Sequence, residues 1–86
     1  MEIKEIQSQL SSVLQDVVGR GDIEVKSGMS ASDIKGWDSL NHIRIVLSAE
    51  EVFGVRFSTI EIPELRSIDE FVNLIQKKLK QYKLND

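Results

Sequence analysis

The chain has no cysteine and one histidine, which leaves no thiol nucleophile, no disulfide framework and no zinc site of ordinary composition. The missing cysteines fit a reducing compartment. One proline and five glycines in 86 residues argue against a disordered linker and against a turn-rich all-β fold. Long apolar runs are lacking too. The most apolar stretch, Ile43-Arg44-Ile45-Val46-Leu47, carries an arginine and is far too short to cross a bilayer. The start, Met1-Glu2-Ile3-Lys4-Glu5-Ile6, lacks the basic region and uninterrupted apolar run of a secretory signal, so the expected location is cytoplasmic, away from membranes. A net charge of −3 argues against a nucleic-acid partner. With 41% hydrophobic and 29% charged residues, the composition is that of a small acidic globular chain, expected to be one monomeric domain over 1–86. It is too poor in reactive groups to be an enzyme by itself.

What is present is a legible helical pattern. Ile3, Ile6, Leu10, Val13, Leu14, Val17 and Val18 recur at steps of three and four, predicting one helix with Lys4, Gln7, Ser11, Gln15 and Asp16 facing away. Gly19-Arg20-Gly21 stops it. No period holds from Asp22 to Trp37, which reads as a long ordered loop anchored by Ile23, Val25, Met29 and Ile34. Asp33 suits a local turn acceptor, and Trp37 a packing residue that clamps the loop to the bundle. Asp38, as N-cap, opens a second helix whose expected buried stripe is Leu40, Ile43, Val46, Leu47 and Phe53, with Gly54 as its stop.

Val55 and Phe57 sit on a short extended connector. Ser58-Thr59-Ile60-Glu61 has the spacing of a capping box and predicts a short third helix including Ile60 and Ile62, with Pro63 tolerated only in its first turn. Ser67-Ile68-Asp69-Glu70 is a second such box. It opens a final helix with the stripe Ile68, Phe71, Val72, Ile75 and Leu79, ending in the polar tail Gln81–Asp86. The expected fold is therefore all-α: a small four-helix bundle with three longer helices, one short third helix and a long first loop.

The informative segment is Gly36-Trp37-Asp38-Ser39-Leu40. A serine at the mouth of a helix faces unpaired first-turn amides and the positive end of the helix dipole, so Ser39 is suited to carry a phosphodiester. An Asp-Ser pair before a helix is also, on its own, an ordinary cap. Ser39 and His42 are three residues apart with Asp38 adjacent, but one exposed turn does not supply the buried, oriented base of a hydrolase. His42 reads instead as a solvent-facing side chain near that phosphate, where its charge responds to pH.

Asp38-Ser39-Leu40, followed by an apolar helix and then Glu50-Glu51-Val52-Phe53-Gly54-Val55, resembles the acyl carrier protein family over nearly the whole chain. In that family the serine of an Asp-Ser-Leu motif is loaded with 4′-phosphopantetheine from coenzyme A. The resemblance implies Ser39 as the attachment point, with Asp38 helping to position the modifying transferase and its magnesium. Leu40 would anchor the start of helix two and, with His42, Arg44, Glu50 and Glu51, form the partner-recognition face. The implied partners are a phosphopantetheinyl transferase and acyl-loading and acyl-transferring enzymes of a fatty-acid, polyketide or related pathway. An acyl chain would fold back between helices two and three, past Val46, Leu47, Ile60, Ile62 and Leu65, although each of these equally fills a core.

One departure stands out. General fatty-acid carriers are rich in carboxylates along helix two, whereas His42 and Arg44 occupy its first half here. That points to a specialised carrier with a dedicated pathway, polyketide-like, lipid or aminoacyl. The Gly-Gly-x-Ser pattern of peptidyl carriers is missing, which disfavours the aminoacyl case. The alternative is a helical protein-protein interaction module without a prosthetic group, with Ser39 merely a cap.

Overall fold

The computed structural model describes the backbone of residues 1–84 and the side chains of residues 1–81. Its first helix, α1 (Ile3–Val18), spans the residues of the apolar period and buries Ile6, Leu10, Val13 and Leu14. It stops at Gly19, whose φ of 79° is the left-handed conformation that glycine adopts without steric cost. Two positions depart from the pattern. Ile3 is exposed, and Ser11, expected to face away, is buried. The hydroxyl of Ser11 donates to the Gln7 carbonyl and accepts the Val25 amide, both at 2.9 Å, so a polar side chain inside satisfies loop backbone that water no longer reaches.

The loop is held from both sides. Ile23, Val25 and Ile34 are buried in the core and Met29 packs against it. Ala31–Asp33 form a 3-10 turn in which the Asp33 carboxylate accepts the Ser30 amide at 2.9 Å, the local role its sequence position suggests. Ser30 pairs with Ser67 in an isolated antiparallel bridge, and the Ile68 amide donates to the Met29 carbonyl at 3.0 Å. The loop is thereby stitched to the start of the last helix. Gly36, at its end, has φ of 99°, and a Cβ there would lie 2.5 Å from Val18 Cγ1. Only glycine meets both demands.

The second helix, α2 (Ser39–Phe53), starts and stops at the expected residues, but its buried face is turned. His42, Ile45, Val46, Ala49 and Phe53 are inside, whereas Leu40, Ile43 and Leu47 are 68%, 48% and 59% exposed. The helix is apolar on two sides, so period alone did not select the inner one. The choice follows from the anchored Trp37 and from polar partners waiting inside for His42.

Beyond Gly54, the connector buries Val55 and Phe57, and Phe57 meets Phe71 edge to face at 5.7 Å between centroids. The Ser58–Glu61 box forms in both directions, at 2.8 Å from the Ser58 amide to Glu61 and 3.3 Å from the Glu61 amide to the Ser58 hydroxyl. The box opens onto a 3-10 segment, Ile62–Arg66, not an α-helix, with Pro63 in its first turn. Five residues before the next helix leave room for little more than one turn. Ile60 precedes the segment and is 82% exposed. The third α-helix, α3 (Ile68–Leu84), opens with the Glu70 amide donating to the Ser67 hydroxyl at 3.4 Å. It buries Ile68, Phe71, Val72 and Ile75, while Leu79 packs partly against the core. The helix runs on through Gln81 to Leu84, and the remainder of the expected tail, Asn85 and Asp86, lies outside the described residues.

The architecture is all-helical. α1 packs on α2 and α3, and the 3-10 segment closes the gap between α2 and α3. Among the described residues there are three α-helices and two 3-10 segments, the second standing where the short third helix was expected, and no strand forms. No helix among them is long and apolar enough to cross a membrane.

Candidate functional site

The site is assembled where the loop enters α2. Trp37 is buried, and its indole N–H donates to His42 Nδ1 at 2.9 Å, with the two rings stacked 5.8 Å apart. An indole nitrogen only donates, so Nδ1 accepts and the imidazole proton resides on Nε2. That nitrogen donates to the Ile62 carbonyl at 2.7 Å. His42 is therefore a buried strut from the loop to the 3-10 segment, correcting the solvent-facing role read from the sequence. Both ring nitrogens are committed away from Ser39, although the two residues share a helical turn.

Asp38 caps α2 by accepting the Asn41 amide at 2.8 Å, and the Asn41 side chain returns to the Gly36 carbonyl at 2.8 Å. These two bonds fix the chain immediately before Ser39. Ser39 is the first residue of α2 and is exposed. The amides of Ser39 and Leu40 have no intrahelical acceptor, which leaves the positive end of the helix beside the hydroxyl. Arg66, from the end of the 3-10 segment, brings its Nη2 to 3.4 Å from Ser39 Oγ. Arg66 is 27 residues away in the chain, and no local signal marks it.

The other expected site residues separate. Leu40, Arg44 and Glu51 are exposed on α2, together with Ile43 and Leu47. Leu40, Ile43 and Leu47, at i, i+3 and i+7, form a second apolar stripe that the sequence already contained. Glu50 is half-buried, and its carboxylate accepts the Phe57 amide at 2.8 Å, so it clasps the connector instead of standing free for a partner. The five residues expected along an acyl path differ in burial. Val46 and Leu65 are core, Ile62 lies at its edge, and Leu47 and Ile60 project outward. At the base of the connector the Glu61 carboxyl is held below its ordinary range, first by the Ser58 backbone amide and then by Lys78 at 3.1 Å, against the opposing effect of burial. Lys78 also lies 5.7 Å from the centre of the Phe57 ring. Among the described residues no group of three or more His, Cys, Asp or Glu side chains is arranged to hold a metal ion.

No protein-family model matches the sequence. The acyl carrier protein of Acidothermus cellulolyticus is 32% identical over 72 residues, covering 84% of this chain and 86% of that one. The chain belongs to the acyl carrier protein family. The acyl carrier protein of Thermobifida fusca is 30% identical over 74 residues, covering 86% of this chain and 94% of its own length. Among solved structures, the solution structure of the holo acyl carrier protein of Geobacter metallireducens superposes with a TM-score of 0.84 at 26% identity. It covers 94% of this carrier and is itself covered over 93%. The role of this carrier is to hold acyl groups, and it is not an enzymatic one.

Proposed function

We propose that this acyl carrier, acting as one unit over 1–86, bears a 4′-phosphopantetheine arm on Ser39 and delivers its acyl cargo to the enzymes of a dedicated cytoplasmic pathway. The observation that carries the reading is the exposed Ser39 hydroxyl at the capped start of α2. The site suits the group's phosphodiester: the helix end and Arg66 both favour an anion there, and Ser39 is exposed. When bound, 4′-phosphopantetheine supplies the thiol that the polypeptide lacks, and acyl groups are held on it as thioesters. In loading, Ser39 Oγ would bond to the pantetheine-side phosphorus of coenzyme A. The bond from that phosphorus to the bridging pyrophosphate oxygen would break, adenosine 3′,5′-bisphosphate would leave, and the serine proton would pass to a base of the transferase. The exposed Asp38 carboxylate helps to orient the transferase and its magnesium.

Cargo delivery is a matter of positioning. Tethering raises the effective concentration of the acyl group at any enzyme that docks. Leu40, Arg44 and Glu51 remain candidates for that docking, joined by Ile43 and Leu47; His42 and Glu50 act by holding the fold. An acyl chain folding back would pass Leu47, Ile60 and Ile62 to reach Val46 and Leu65, which requires the short 3-10 segment to shift. Such small elements are the ones that open locally.

Arg44 is the one formally charged side chain between Ser39 and Ala49. That stretch offers partners an apolar and mildly basic face, which supports service to a specialised pathway, polyketide-like or lipid, over bulk fatty-acid synthesis. The test has two stages. Incubation with coenzyme A, magnesium and a broad-specificity phosphopantetheinyl transferase should add one arm by intact mass to the wild type and none to Ser39→Ala. An unchanged wild-type mass favours the interaction-module alternative. Efficient turnover of the loaded protein by general fatty-acid elongation enzymes would count against specialisation.

A further inference from the structure

We propose that Arg66 clamps the phosphodiester at Ser39, so that loading the arm ties the 3-10 segment Ile62–Arg66 to the start of α2. This rests on the reading that Ser39 is the attachment point. In the unmodified protein the guanidinium meets a neutral hydroxyl at 3.4 Å, a long and weak contact. Among the described residues no carboxylate forms an ion pair with Arg66, so a cation is held beside an uncharged group. Three carboxylates close in the chain to Ser39 or Arg66 have other partners: Asp38 accepts the Asn41 amide, Glu61 pairs with Lys78, and Asp69 accepts the Gly28 amide.

Modification changes the electrostatics at that point. Ser39 Oγ becomes an ester oxygen, and the charged phosphate oxygens lie one bond beyond it. A small rotation of the Arg66 side chain then exchanges the weak contact for a charge-assisted hydrogen bond, with a forked donor that matches phosphate. The 3-10 segment is already tied at its other end, through the Ile62 carbonyl and His42. The clamp therefore secures it at both ends and stiffens the boundary that an acyl chain would have to open.

The test compares unmodified and loaded forms of the wild type, Arg66→Gln and Arg66→Lys, with loading checked by intact mass. Amide hydrogen exchange is followed at Ile62, Glu64, Leu65 and Arg66, since Pro63 has no amide hydrogen, and the Arg66 Nε resonance is followed by NMR. Loading should slow exchange in the wild type about two- to five-fold, the size of an exposed ion pair, and the gain should shrink with added salt. It should vanish in Arg66→Gln and persist in part in Arg66→Lys. The Arg66 Nε resonance should shift on loading. A loaded wild type with unaltered exchange and an unmoved Nε signal overturns the clamp while leaving the carrier reading intact. Equal slowing in loaded Arg66→Gln overturns it as well. Failure of the wild type to load overturns both. Should Arg66→Gln resist loading, the wild-type exchange and Nε signal decide the matter alone.

Discussion

His42 is polar, lies on a helix one turn past an exposed serine, and is nevertheless inside. Its two nitrogens give the Trp37 indole an acceptor and the Ile62 carbonyl a donor, so the ring costs no unpaired polar group. His42→Ala would orphan both partners and leave a cavity. The expected loss is about 2–4 kcal/mol of folding stability, read from urea unfolding followed by Trp37 fluorescence. A loss under about 0.5 kcal/mol, the size of an ordinary surface change, would show that the imidazole does not brace the site.

Among the elements, the connector between α2 and α3 carries a response to pH. Glu61 is held in its charged form by the Ser58 amide and by Lys78. Its folded pKa lies below the unfolded one, so the stabilisation is fully present above the ordinary glutamate value of 4.5 and is lost as pH falls through the folded value. Glu61→Gln keeps an amide oxygen for the capping box but cannot titrate. Thermal melts from pH 6 down to pH 3 should therefore fall less steeply in this variant, and parallel curves would remove Glu61 from the account.

The same element shows what a linear reading can capture. Local devices were legible: the glycine stops, the Asp38 cap and the Ser58–Glu61 box each depend on residues within a few positions. The inner face of α2 was not. Its two apolar stripes satisfy the helical period about equally, and long-range contacts made by Trp37 and His42 choose between them. The tightness of the third helix was hidden for a related reason, since a box starts a helix without fixing its pitch. For the site, the exposed hydroxyl could be read from its motif, whereas Arg66 arrives through the fold alone.

Over the whole molecule, the net charge of −3 is unevenly spread, and the first half of α2 is not where the acidity resides. The exposed Leu40, Ile43 and Leu47 form a stripe that starts next to Ser39 and runs past the middle of the helix. Surface apolar groups clustered beside a site serve contact more than stability. Leu47→Ser should change folding stability by no more than about 0.5 kcal/mol. It should also raise the KM of a cognate acyl-transferring enzyme for the loaded carrier. An unchanged KM would move the docking face elsewhere. Gly36 bears on the same question of where the hydroxyl stands. With space beside Val18 for a hydrogen and nothing larger, the approach to α2 is braced against the final residue of α1. The serine's station in space is thus surveyed from the far end of another helix, and a bulkier side chain at 18 would move it without touching the motif.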